Sequence, residues 1–327
     1  MVEYRAFRNA DPPAIHALWR AAGLGRGAAV ETGVDAFDLV NYSQPFFDRD
    51  GLLVAIDRSQ PPASPRHEGR LVGFVHAGFA ACDDASQLDR SQGVICAIVV
   101  DPAYRRRGIG RELLTRAEQY LRSGGATRLV AGPARHRDPF FYGLYGGSRP
   151  SGFLESDPAA APFLAACGYQ PFERHGVFQR DLQGTRDPAN FRIVSIRRKS
   201  ELEIVETPPN PAWWWYTHTG RLDSVSFRLV PRTGGDALAQ LTAVGLDLYL
   251  NTWQERVVGL SDLRVRDDLQ GKGYGQTLII EVLRRLRLEL VTRVELHSPE
   301  SARSVLAVIQ ATGFQRVDTG HVYERLG

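Results

Sequence analysis

Two stretches decide the reading of this chain: VVDPAYRRRGIGRELL at 99–114 and LRVRDDLQGKGYGQTLI at 263–279. Each passes from an apolar segment through a turn into a glycine-spaced loop, and then into an amphipathic segment. Ile109, Leu113, Leu114, Ala117 and Leu121 recur at the helical period, and Gly124 with Gly125 ends that helix. Tyr274, Leu278, Ile279, Val282, Leu283 and Leu286 do the same after the second loop. The first N–H groups of a helix have no partner inside it, and with the positive end of the dipole they attract an anion. Glycine permits the tight turn and the close approach, and a neighbouring Arg or Lys adds charge. A diphosphate fits such a cradle. The spacing is neither GxGxxG nor GxxxxGK[ST], which argues against a Rossmann fingerprint and a P-loop. One such loop alone reads equally well as a helix start with surface arginines; two copies at one offset favour an anion site.

Working outward, GVICAIVV at 93–100 is apolar on both faces, as a central strand is, and 257–265 is its counterpart. Strands are expected in the first half over 2–7, 52–56, 71–79, 127–131 and 176–182. Helices are expected from Asp11 and over 35–42 and 159–169, and a loop over 59–70. The second half repeats the order: a hairpin of 224–230 and 237–250, a strand at 291–296, a helix at 302–312 and a last strand at 314–323. Val100 precedes Gly108 by eight residues, and Val265 precedes Gly273 by eight. Gly108 to Gly168 is 60 residues and Gly273 to Gly313 is 40, the surplus lying almost wholly in 132–156. The expectation is two related domains, 1–182 with an insertion at 132–156 and 191–327 with a reduced lead-in, joined by 183–190.

Composition sets bounds on function. With 327 residues, 43% hydrophobic and 24% charged, the chain is an ordinary globular protein of about two domains. The net charge of +3 comes from 40 basic residues, of which only Lys199 and Lys272 are lysines, and is too small to imply a nucleic-acid partner. The Trp213–Trp214–Trp215 run is expected to pack rather than to stack bases. No apolar run is long enough for a membrane span, and no signal peptide is expected from the first residues. Cys82, Cys96 and Cys167 are sparse and lack CxxC spacing, so neither a disulfide framework nor a metal site is expected, and a reducing cytoplasm fits.

The pattern Arg/Gln-x-x-Gly-x-Gly, present at Arg105–Gly110 and Gln270–Gly275, resembles the acetyl-CoA loop of the GCN5-related N-acetyltransferases. CGY at 167–169 and TGF at 312–314 resemble the segments that close the family's last helix. The resemblance spans nearly the whole chain and is weakest over 191–223. It implies two tandem acyl-CoA N-acyltransferase domains of α/β class (α+β by some schemes), each a central mixed, mostly antiparallel sheet flanked by helices. It implies acetyl-CoA as acyl donor, coenzyme A as product, and a primary amine of a small molecule or peptide as acceptor. Pantetheine would run along Ile98, Val99 and Val100, or along Leu263 and Val265. The pyrophosphate would sit on Arg105, Arg106, Arg107, Gly108, Ile109, Gly110 and Arg111, or on Gln270, Gly271, Lys272, Gly273, Tyr274, Gly275 and Gln276.

The implied chemistry is direct attack of a neutral amine on the thioester in a ternary complex, with a base to take a proton and an acid for the departing thiolate. Family members often place a tyrosine acid four residues before the late glycine; here those positions are Leu164 and Ile309. An asparagine common at the start of that helix is Asp157 or Ala302. Tyr142 and Tyr145 of the insertion are therefore the candidate acids, unless the thiolate leaves unaided. A carboxylate base often lies on the central strand, where the first copy offers only Cys96, Ala97 and Ile98. The second offers Asp262, with Glu255 just before the strand. Asp262 reads more readily as the partner of Arg264 or Arg266 at a sheet end, and Cys96 reads as core. The insertion mixes Arg135, His136, Arg137, Asp138 and Arg149 with aromatic residues and glycines, as a substrate-contacting loop or a lid would. The first unit, complete at its amino end and beside that insertion, is the expected seat of activity. The rival readings are a non-catalytic acyl-CoA-binding or structural tandem protein and a nucleotide-phosphate enzyme.

Overall fold

The computed structural model describes residues 2–61, 69–208 and 210–326. Most of the loop expected at 59–70 lies outside them. The strands are β1 (Val2–Ala6), β2 (Leu52–Asp57), β3 (Arg70–Ala81), β4 (Leu88–Val100), β5 (Arg128–Ala131), β6 (Phe153–Leu154), β7 (Tyr169–Asp181), β8 (Ser200–Val205), β9 (Ser224–Pro231), β10 (Ala239–Gly245), β11 (Val257–Val265), β12 (Arg293–Pro299) and β13 (Gln315–Arg325). The helices are α1 (Pro12–Ala21), α2 (Val34–Phe37), α3 (Ile109–Ser123), α4 (Ala160–Ala166), α5 (Phe191–Lys199), α6 (Trp213–Thr217), α7 (Leu250–Trp253), α8 (Tyr274–Leu288) and α9 (Arg303–Ala311).

All the described strands belong to one sheet, whose main path runs β1-β2-β3-β4-β5-β13-β7-β12-β11-β10-β9-β8, with β6 beside β13. Only β4–β5 and β11–β12 are parallel; the other pairs are antiparallel. The two halves exchange their last strands. β7, which follows α4 in the first half, pairs with β12 of the second. β13, which follows α9, pairs with β5 of the first, and β7 and β13 pair with each other from Gln315↔Gln179 to Arg325↔Tyr169. The segment 183–190 is anchored: Asp187 accepts from Arg287 at 2.7 and 2.9 Å and from Arg180 at 2.8 Å.

The buried stripe of α3 (Ile109, Leu113, Leu114, Ala117 and Leu121) packs on the first half of the sheet, and that of α8 (Leu278, Ile279, Val282, Leu283 and Leu286) on the second. The periodicity therefore places both helices and fixes the face on which each glycine loop emerges. The expected strand at 237–250 ends at Gly245. The chain there turns through Asp247–Tyr249 into α7, and Tyr249 is buried by stacking 4.1 Å from Trp253.

Candidate functional site

Each parallel pair stops short. β4 pairs with β5 only from Gln92↔Arg128 to Ile95↔Ala131, although β4 continues to Val100. β11 pairs with β12 only from Val257↔Arg293 to Leu260↔Leu296, although β11 continues to Val265. On their other edges both strands stay paired, β4 with β3 as far as Gly73↔Val100 and β11 with β10 as far as Ala239↔Val265. The register slips at Cys96 and again around Asp262, which has φ +53°. Such bulges bend a strand away from its neighbour. The result in each half is a wedge with one unpaired strand edge, at Cys96–Val100 and at Ser261–Val265.

In the first half the wedge opens into a cleft of about 540 Å³, lined by Ile98–Val100, the loop from Arg105 to Arg111, and Phe163 and Leu164 of α4. Gly108 caps α3 with φ +82°, and an added Cβ there would meet nothing within 4 Å. The cradle is therefore open, and the residues present suit a diphosphate. Arg106 adopts φ +64° and makes no hydrogen bond among the described residues. Arg105 is committed instead, donating to the Val100 carbonyl at 3.2 Å and the Ala22 carbonyl at 2.5 Å. Arg107 donates to the Ala103 carbonyl and lies over the Tyr104 ring.

The second loop repeats this geometry. Gly271 (φ +72°) stands where Arg106 does, and Gly273 (φ +93°) where Gly108 does. Gln276 donates to the Ala311 carbonyl just as Arg111 donates to that of Ala166. The two loops differ in cover. A Cβ on Gly273 would lie 2.6 Å from Arg192 Cδ of α5, so that side chain backs the second loop. Gln270 is held by Asp267 at 2.9 Å. Gly275 packs beside Val265 and Leu263, while Lys272 is exposed.

A second cavity, of about 490 Å³, lies between the insertion and the second half of the sheet. Arg135, Tyr142 and Arg149 of the insertion face Ser261, Asp262 and Arg264 at the free end of β11, with Trp214 and Trp215 on the wall. Arg149 donates to Asp262 at 3.2 Å, and Arg135 lies 3.6 Å from the same carboxylate. Burial would raise the Asp262 carboxyl, but the charges of Arg149, Arg135 and Arg264 hold it below its usual range. Burial pushes the Tyr142 phenol up to about 12, so it keeps its proton at neutral pH.

The sequence pattern of the acetyltransferase (GNAT) family matches residues 36–143 and 191–314, more than half of the chain. The chain belongs to the GNAT family. Members of this family are acyltransferases that use acyl-CoA. Among curated protein sequences none matches. Among solved structures, the chain is similar over 99% of its length to the GCN5-related glucosamine N-acetyltransferase region of a fungal multi-domain beta-N-acetylglucosaminidase, with TM-score 0.71 and 18% identity. It spans only 38% of that protein. It is also similar to a tandem GNAT protein from the clavulanic acid biosynthesis pathway (TM-score 0.64, 18% identity, 99% and 98% of the two chains). A GCN5-related N-acetyltransferase from Sphaerobacter thermophilus gives TM-score 0.63 at 15% identity, with 99% and 95% covered. These likenesses show the fold.

Within the GNAT frame, Tyr142 and Asp262 come together in one cavity, and the other two candidates do not join them. Tyr145 is buried beneath Trp19 and Phe153, its hydroxyl accepting from the Leu154 N–H at 3.1 Å. Glu255 precedes the far end of β11, where Arg293 holds it at 2.7 and 2.8 Å. The expected partners of Asp262 also change: Arg266 turns to Asp268 at 2.6 Å, and Arg149 from the insertion takes its place. Among the described residues the insertion reaches the first cleft at Phe153, near its end. Phe140 stacks 3.8 Å from His76 and Phe141 stacks 5.2 Å from Trp19, filling the space beside the β4 bulge. Of its charged residues Arg135 and Arg149 serve the second half, while Arg137 pairs with Glu173 of β7.

Four polar residues, Asp157, Ser151, Glu295 and His297, have no role assigned to them from sequence. Asp157 lines the first cleft, and burial raises its carboxyl against the Ala159 and Ala160 N–H groups and the charge of Arg105. Its departure from the family's asparagine was the available signal. Glu295 and His297 of β12 form a chain with Ser151: Ser151 Oγ to His297 Nδ1 is 2.8 Å, and His297 Nε2 to Glu295 Oε1 is 2.9 Å. The arrangement has the order of a catalytic relay, but all three side chains are buried and line neither cavity. With Arg26 and Gln179 also on Glu295, at 3.0 and 2.7 Å, it locks the insertion to the sheet. Trp214 packs as expected, 5.3 Å from Phe46 and 4.2 Å from His218, and Cys96 is core.

Proposed function

We propose that the chain moves an acetyl group from acetyl-CoA to a primary amine of a small molecule or peptide, by direct attack in a ternary complex. The observation that carries this reading is the unpaired strand edge at Cys96–Val100, opening into a cleft whose mouth is the Arg106–Arg111 cradle. When bound, acetyl-CoA supplies the thioester acyl group. The N–H groups of the first turn of α3 and the free guanidinium of Arg106 hold its diphosphate, and the edge at Ile98–Val100 aligns the chain behind it. In the second half, Leu263 and Val265 with the Gln270–Gln276 loop offer the same arrangement. Beside that edge Asp262 holds an incoming ammonium, which gives up a proton to water before the neutral amine attacks, and the Tyr142 hydroxyl retains a proton to give to the departing thiolate. In the first cleft Asp157 is the carboxyl nearest in character to a proton acceptor.

The division into units 1–182 and 191–327 is supported by the two matched segments. The three free cysteines support a reducing, cytoplasmic setting. No described helix is long and apolar enough to cross a membrane. A second reading, acyl-CoA binding without turnover, is favoured by Leu164 and Ile309, fully buried where the family often has a tyrosine, and by the aromatic filling of the first half.

The deciding experiment combines calorimetric titration with acetyl-CoA and a thiol-release screen across primary amines, using Gly110→Val and Gly275→Val variants. A Cβ on Gly110 lies 3.0 Å from Phe163, and one on Gly275 lies 3.2 Å from Val265, so each side chain intrudes on its own wedge. Transfer lost in one variant while the protein stays folded assigns the working half. Binding without thiol release from any amine leaves the non-catalytic reading. Binding and rates unchanged in both variants remove the loops as donor sites.

A further inference from the structure

Around Asp262, at the free end of β11, the cavity between the insertion and β11 gathers more guanidinium groups than carboxylates. Among the described residues four guanidinium groups line it: Arg228 is paired with Glu203 at 3.2 Å, and Arg135, Arg149 and Arg264 act on Asp262. Arg149 and Arg135 share Asp262, at 3.2 and 3.6 Å. Arg264 has no ion pair among the described residues, although its charge is felt at Asp262 and at Arg135. The other acidic groups on the wall are Asp138, Asp83 and Asp84. Asp138 accepts from Trp214 Nε1 at 3.1 Å and its charge offsets part of that of Arg135, and Asp84 accepts from Ser86 and Cys82. Asp83 and Asp84 do not figure among the charges that act most on Arg135. Like charges gathered around a half-enclosed space cost free energy that an anion between them recovers. Arginine forks suit carboxylate and phosphate oxygens bidentately. Burial first, and then the charges of Arg149 and Arg264, lower the Arg135 pKa against the opposing charges of Asp262 and Asp138.

We propose that this cavity binds an organic anion, so that the amine accepted by the enzyme also carries a carboxylate or phosphate group. The second part rests on the transferase reading above. Trp214, Trp215 and Tyr142 supply an apolar wall for the body of the ligand, and a volume of about 490 Å³ suits a small molecule. Arg149 and Arg264 take the anionic end. Asp262 takes the ammonium end, at the point where β11 leaves β12 and the wedge of the second half begins. A ligand of both charges is thereby oriented with its amine toward the strand edge at Leu263–Val265.

The test is a tryptophan-fluorescence titration of the full chain, without acetyl-CoA and at constant ionic strength. The probes are benzoate, phenyl phosphate, benzyl alcohol and benzylamine. Saturable binding of one or both anions is expected, weakened about tenfold in Arg149→Gln and in Arg264→Gln. Arg264 is exposed, so its variant should melt as the parent does. Tighter binding of benzoate assigns a carboxylate, and of phenyl phosphate a phosphoryl group. The proposal is overturned if the alcohol or the amine binds as tightly as the anions, if neither substitution weakens the anions, or if no anion saturates. Thiol release from acetyl-CoA with phenylalanine and phenylalanine amide separates the two readings. Anion binding with no transfer to any amine sinks the transferase reading and leaves the cavity assignment. Transfer that ignores the carboxylate and survives Arg149→Gln sinks the acidic-acceptor assignment alone.

Discussion

His76 lies fully buried on β3, stacked on Phe140, and neither ring nitrogen has a hydrogen-bond partner among the described residues. Burial alone lowers its pKa to about 3. The sign of the consequence follows from linkage. Above the unfolded value near 6.5 both states are neutral at this ring and it contributes no pH dependence. As pH falls from there toward the folded value, the unfolded chain takes up a proton that the folded one refuses, so stability declines. His76→Leu, close in volume, removes that penalty. The gain of the variant over the parent should be about 2 kcal/mol larger at pH 5 than at pH 8. Urea melts at the two pH values measure it, and an equal difference at both would show that the ring is charged or solvated in the folded state. At this scale the sequence was partly legible. Asp262 stood out because a charge in an apolar strand needs a partner, and the partner is Arg149, more than a hundred residues away. Tyr142 and Tyr145 looked alike in sequence. They part only because the chain turns Tyr142 toward Thr219 and Tyr145 inward against Trp19.

The two glycine loops are the elements the sequence disclosed most fully, because the glycines sit where φ is positive. The match is not perfect. Where the second loop has Gly271, the first places Arg106 at φ +64°, a conformation that a side chain resists. Arg106→Gly relieves that strain and lifts the melting temperature slightly or leaves it unchanged. It also removes a free cation from the cradle, so coenzyme A should bind about tenfold more weakly to the first half. Calorimetric titration beside a melting curve reads both effects. Unchanged affinity with raised stability would make Arg106 an accident of the turn. Elements without such a signature were missed. β8, SELEIV, is an edge strand with Ile204 exposed, and α5 has three basic residues in its last turn and little apolar periodicity. Both became evident only through what they lie against: β8 against β9, and α5 against α8 and its loop.

At the scale of the molecule, the duplication was legible and the exchange of strands was not. Nothing in Tyr169–Asp181 or Gln315–Arg325 says which sheet each joins, since either β5 or β12 offers the same kind of edge. The structure crosses them, and Arg128 meets Glu324 at 2.6 Å across one such pairing. The long β7–β13 pair then forms the centre of one sheet rather than the facing edges of two. Neither half can unfold without stripping a neighbour from the other: loss of the second half leaves β5 without β13, and loss of the first leaves β12 without β7. The Glu295 lock and Asp187 add buried charge pairs that fail if the halves part. The full chain should therefore unfold in one transition although it holds two homologous units. Tryptophan fluorescence and far-ultraviolet circular dichroism should give coincident curves, with a calorimetric to van't Hoff enthalpy ratio of about one. Acetyl-CoA bound to either half should shift that whole transition, since a ligand held only by the folded state stabilises everything that unfolds with its site. Two resolved transitions, of which the ligand moves one, would mean that the exchanged strands do not couple the halves.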